Sequence, residues 1–218
     1  MVSQRRSGLP RTKEVSYLRL GHDPMAHLRL FANPFRMPDY RRVWVPGGTY
    51  FFTVNLLERR HGRLLVEHVD RLRAAFRNAQ RLRPFEVIAI VVLPEHLHCL
   101  WRLPEGDADN ADRWARIKSG FSRQLSKTER RSDARIAKRE RGIWQRRFWE
   151  HMIVDERDLQ VHVDYIHFNP VKHRYVARAA DWPYTSLHRY IASGELPEDW
   201  ACDLDALIMH VSDCVDGD

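Results

Sequence analysis

The spacing of apolar residues changes along the chain, and each change marks an element. After the Pro-Gly-Gly turn at 46–48, an aromatic and β-branched run predicts a strand over 49–56. Val69, Leu72, Ala75, Phe76, Ala79 and Leu82 then recur at helical spacing, predicting a helix over 67–83 that Pro84 stops. Residues 85–93 are almost continuously β-branched, as in a buried strand. The Leu-Pro-Glu-His step can turn the chain directly into a second strand over 96–103, making a hairpin. Residues 107–110 offer helix caps, and 111–125 reads as an amphipathic helix with a basic outer face. The most polar stretch, 126–141, reads as a flexible basic loop or helix extension. A strand follows over 148–154. Asp155 then caps a helix over 156–169, with Pro170 disfavouring helix at Asn169 itself. A last helix over 184–192 opens after Asp181, Trp182 and Pro183 and ends at Gly194. The order β-α-β-β-α-β-α-α predicts an α+β fold, a ferredoxin-like or RRM-like antiparallel sheet with helices packed on it.

Outside that pattern the ends differ from the middle. Residues 1–36 are basic, hold three prolines and lack sustained periodicity, so they read as a flexible arm. Residues 37–194 read as a single domain, and Met37 stands where an alternative start would fall. Residues 195–218 hold eight acids and no Lys or Arg, an acidic tail. No apolar run approaches the roughly 18 residues of a membrane span, and the N-terminus has no secretory core, so no membrane role is expected. Cys99, Cys202 and Cys214 form no metal or disulfide pattern, which suggests reduced thiols and a cytoplasmic protein.

The net charge of +7 hides a more basic body, because the tail carries so many of the acids. Within 113–147 stand thirteen bases against three acids. Such a run reads as a footprint for a polyanion, most simply nucleic acid. Its plainer reading is a solvated charged face.

Two segments carry candidate chemistry. On a strand His96 and His98 point to one face about 6–7 Å apart, with Leu97 turned to the opposite, apolar layer. Two such imidazoles can chelate one divalent cation, although a lone His-x-His more often sits paired with acids. On a helix Tyr165 and Asn169 lie four residues apart on one face, with His162 nearby. Alone, Tyr165 reads as a core-edge residue and Asn169 as a cap before proline. Together the segments suggest more. A phenol with a pKa near 10 attacks poorly unless a metal polarises the phosphodiester and shields its charge. His96, His98 and the Asn169 carboxamide would leave positions open for phosphate oxygens and water.

At these motifs the chain resembles the REP-associated tyrosine transposases, relatives of the single-tyrosine HUH transposases of small insertion sequences. The resemblance covers roughly 37–194 through MPDYRRVWVPGGTYFFTVNLLERR, VVLPEHLHCLW, GIWQRRFWEHMI, DYIHFNPVKH and DWPYTSLHRYI, in that order. It implies that His96 and His98 are the metal-ligating HUH pair, Tyr165 the catalytic nucleophile and Asn169 the third ligand. It implies further a Mg²⁺ or Mn²⁺ cofactor, and cleavage and rejoining of single-stranded DNA at hairpin-forming repeats through a 5′-phosphotyrosine and a free 3′-OH. Glu95 stands where aspartate is expected, Arg174 where glycine is, and Leu187 where phenylalanine is.

Other residues complete the expected DNA path. Trp144, Phe148 and Trp149 interleave with Arg146 and Arg147, as in sites that stack bases and hold phosphates, though the aromatics also suit a sheet core. Arg41 and Arg42 precede the first strand and could touch a hairpin, and Lys172 lies in the tyrosine motif. Rival readings are a hairpin-binding regulator without catalysis, an RRM-like RNA binder and a replication-initiator or relaxase relative. No RRM stacking motif is present, and that reading leaves the spaced histidines unexplained. The resemblance leaves monomer and dimer both open.

Overall fold

The computed structural model describes residues 45–201 apart from 59–61, 128, 130 and 139. The expected basic arm, Met37, Arg41, Arg42 and the end of the acidic tail lie outside the described residues.

The architecture is α+β. Four antiparallel strands, β1 (Thr49–Asn55), β2 (Glu86–Val92), β3 (His96–Arg102) and β4 (Trp149–Met152), form a sheet in the order β2-β3-β1-β4. A short α1 (Leu64–Glu67) leads into α2 (Val69–Leu82) between β1 and β2. Helix α3 (Asn110–Arg123), short α4 (Asp133–Ala137), α5 (Glu156–Lys172) and α6 (Leu187–Ala192) complete the chain order.

Strand alternation splits the sheet into two faces. Phe52, Leu97 and Trp101 look toward α2 and α3, where Trp101 and the α3 residue Trp114 stack with centroids 4.6 Å apart. Phe51, Thr53, His96 and His98 look the other way, toward α5. Asp109 caps α3 and Asp155 caps α5, each accepting from an N–H three residues on, as the sequence predicts.

The structure departs from the sequence expectation in three places. Helix α5 does not stop at Asn169. It runs through Pro170 to Lys172, because every residue from Val161 to Val171 is buried and packing outweighs the missing Pro170 N–H. It ends with Tyr175 N–H on the Pro170 carbonyl at 2.9 Å and Arg174 N–H on that of Val171 at 2.8 Å. Arg174 itself has φ 58°, the left-handed conformation that such a C-cap requires and that glycine adopts without strain. The residue expected at 174 was glycine, and this backbone is the reason.

The last helix starts at Leu187 rather than 184. Residues 184–186 instead pair with the exposed edge of β2, through Val92 N–H to the Tyr184 carbonyl and Ser186 N–H to that of Ile90, both 2.8 Å. The polar 126–141 stretch is also better held than a flexible loop. It includes α4, and Arg141 ties its ends by bonding Glu129 and the carbonyls of Ser122, Leu125 and Ser126.

Candidate active site

Both histidines of β3 face α5 and are almost wholly buried, each 3% exposed. Their rings stand 5.0 Å apart at 84°. Each Nδ1 has an outer partner. Glu95 Oε1 lies 3.0 Å from His96 Nδ1, and Thr53 Oγ1 lies 2.9 Å from His98 Nδ1. Such contacts fix ring orientation and leave Nε2 as the nitrogen able to ligate. Burial pushes the Glu95 carboxyl up, but its hydrogen bond and charge contact with His96 prevail and hold it below the usual range. Tyr175 Oη donates to the other Glu95 oxygen at 3.3 Å.

Helix α5 brings Tyr165 over this pair. Its ring is 5.2 Å from that of His98 and 5.9 Å from that of Phe51. Burial raises its pKa, partly offset by the Asn169 side chain, so the hydroxyl is a protonated phenol at neutral pH. Asn169 is fully buried, yet neither of its side-chain polar atoms makes a hydrogen bond of ordinary geometry. A buried carboxamide with no ordinary partner, next to Tyr165, and two oriented imidazoles are donors that suit a divalent cation, so the residues present fit such a group. Lys172 places Nζ 4.8 Å from the Tyr165 ring centroid, and burial lowers its pKa. The ammonium over the ring favours negative charge there.

The sequence-predicted residues thus divide. His96, His98, Tyr165, Asn169 and Lys172 come together. Arg146 and Arg147 are exposed in the segment before β4, with Arg146 Nε 2.9 Å from Glu140. Trp144 and Phe148 are buried in the core and not exposed for stacking. Arg113, the first base of the charge run, is completely buried against Asp107 and is structural. Sequence spacing alone does not reach Thr53 and Glu95 as partners of the histidines. Glu95 is next to His96 in the chain, whereas Thr53 meets His98 only when β1 and β3 pair.

The IS200-like transposase family model matches residues 48–169, from β1 to Asn169. This chain belongs to that family. The transposase is 47% identical to the REP-associated tyrosine transposase of Escherichia coli (strain K12) over 168 residues, 77% of this chain and 93% of that one. It is 46% identical, over 79% of its length and 98% of the relative's, to a Haemophilus influenzae protein named as a provisional member of the same group. A solved structure of a REP-associated tyrosine transposase bound to a REP hairpin superposes with a TM-score of 0.65 at 47% identity. That match covers 77% of this transposase and 93% of the other chain. The protein is a tyrosine transposase of the REP-associated kind, as its motifs imply. Among the described residues no helix is long and apolar enough to cross a membrane.

Proposed function

We propose that this transposase cuts and rejoins single-stranded DNA at hairpin-forming repeats, in the cytoplasm, with Tyr165 as nucleophile. The observation that carries the reading is the approach of Tyr165 to the oriented His96–His98 pair from a separate element, α5. A similar protein is described bound to a REP hairpin, which supports the same class of DNA here.

In the reaction Tyr165 Oη attacks the scissile phosphorus and loses its proton. The bond from phosphorus to the 3′-oxygen breaks, and that oxygen leaves as a 3′-OH. The 5′-phosphate stays on Tyr165, and reversal by another 3′-OH rejoins the strand. His96 and His98 through Nε2, with Asn169 through Oδ1, would hold a Mg²⁺ or Mn²⁺ ion. Such a cation supplies phosphate polarisation and charge shielding. Lys172 holds positive charge beside the phenol and the entering phosphate. Arg146, Arg147, Arg41 and Arg42 contribute backbone contacts along the DNA.

The helix over the histidine face counts against the RRM-like alternative, since His162 and Tyr165 cover Phe51 where such a sheet would stack a base. The test is cleavage of labelled hairpin DNA with Mn²⁺ or with EDTA. Cleavage should require the cation and vanish in His96→Ala with His98→Ala while hairpin binding persists. Undiminished cutting in EDTA or by the double variant refutes the reading. Binding without cutting by the wild type under every cation would favour a regulator.

A further inference from the structure

A second set of ligating side chains meets on the α5 side of the sheet, outside the His96–His98 pair. His151 stands on β4 opposite Phe51, while Asp158 and His162 lie four residues apart on α5. His151 Nε2 is 2.8 Å from Asp158 Oδ2 and 3.1 Å from Oδ1. His162 Nδ1 is 3.0 Å from Asp158 Oδ1 and 2.8 Å from the Asp158 main-chain oxygen, a contact that ligation would replace. One ligand atom from each of the three residues lies within 4.8 Å of the other two.

We propose that His151, Asp158 and His162 form a second cation site, for a first-row divalent ion that prefers nitrogen, such as Zn²⁺. Two imidazoles and one carboxylate are a donor set of that ion. Donors about 2.1 Å from a tetrahedral cation stand about 3.4 Å apart, so the two His–Asp contacts would open slightly from 2.8 and 3.0 Å. The Val154 N–H donates to Asp158 Oδ2 at 3.0 Å, and Asp155 caps the Asp158 N–H, so the carboxylate is already oriented. The imidazoles lie 4.7 Å apart and 14° from parallel, so coordination turns one ring about its Cβ–Cγ bond. His151 is 36% exposed, which gives the ion a route in, whereas Asp158 and His162, at 17% and 11%, lie deeper.

A cation there would join β4 to the first turns of the helix that carries Tyr165. His162 is one turn ahead of Tyr165, and its ring packs 4.7 Å from Phe51, which also contacts Tyr165 and His98. The three residues are therefore positioning residues that set how α5 sits on the sheet. This site does not depend on the catalytic reading of His96 and His98.

The test separates the two sites with Co²⁺, whose visible absorption reports nitrogen ligation in a tetrahedral field. The full chain bearing His96→Ala and His98→Ala should bind one equivalent of Co²⁺, lose the signal when Zn²⁺ competes, and melt at a higher temperature with either ion. Adding His151→Ala and His162→Ala should remove both the absorption and the thermal shift. His151→Gln, which keeps a donor toward Asp158 and so guards against simple misfolding, should also lose the absorption. No stoichiometric Co²⁺ in the His96/His98 variant, or an equivalent that survives the loss of His151 and His162, overturns the proposal.

Discussion

Toward α2 and α3 the sheet presents Phe52 and Trp101, which meet Trp114, Phe85 and Phe148 ring to ring at 4.5–5.7 Å. Toward α5 the same two strands present Thr53, His96 and His98 to a helix that buries Asp164, Tyr165, His167 and Asn169. The first face removes large apolar surface from water and gives each ring a neighbour. The second buries polar groups at a cost that their charges record. Burial holds His167 neutral, with its pKa lowered to about 3, and pushes the Asp164 carboxyl up to about 7 despite its bond from Gln160. One face stabilises the domain, and the stability it supplies supports a polar, chemically competent face on the same strands.

The comparison breaks most visibly if the aromatic face is emptied. Trp101→Ala should cost about 3–5 kcal/mol of stability, read by denaturant unfolding, and should remove activity only by removing the fold. On the other face the signs reverse. Thr53→Val or Glu95→Gln should leave unfolding within about 1 kcal/mol of wild type. Either change should lower Mn²⁺-dependent cleavage about 10–100-fold by releasing the histidine it orients. A stability loss equal to that of Trp101→Ala would show that the polar face is structural as well.

Acid tests a third kind of contact. The buried Arg113 guanidinium, bonded to Asp107 at 2.8 and 3.0 Å, holds that carboxyl down to about 2. A carboxyl lowered in the fold stabilises above its unfolded pKa of about 3.8, and that contribution is lost as pH falls toward 2. Asp107→Asn should therefore be less stable than wild type by about 2 kcal/mol at pH 7, with the gap closing between pH 4 and 2 in pH-dependent melts. The smallest effect concerns DNA. Arg146→Ala with Arg147→Ala should flatten the log–log salt dependence of hairpin affinity by about 1, since each lost single-strand phosphate contact removes about 0.7. Arg147 should account for more of it than Arg146, which shares its charge with Glu140.

Much of this was legible in the sequence because it is local. Alternation placed His96 and His98 together and Leu97 opposite, and helical spacing put Tyr165 and Asn169 on one face. What was not legible depends on pairing between distant segments. Thr53 serves His98 only through the β1–β3 register, and His151 meets Phe51 only once β4 lies beside β1. Charge counting could not separate Arg113, wholly buried, from the exposed Arg147. The end of α5 was not legible either, because Pro170 weakens a helix locally, whereas the burial that carries the helix past it is tertiary.

The central claim is that Tyr165 becomes covalently joined to DNA, and mapping that bond tests it most directly. The transposase would be incubated with labelled hairpin DNA and Mn²⁺, digested, and the DNA-linked peptide sequenced by mass spectrometry. The account predicts a 5′-phosphate ester on Tyr165 alone. It predicts none in Tyr165→Phe, which should keep its fold and hairpin affinity because only one hydroxyl is removed. An adduct on another residue, or undiminished cleavage by the phenylalanine variant, would contradict it.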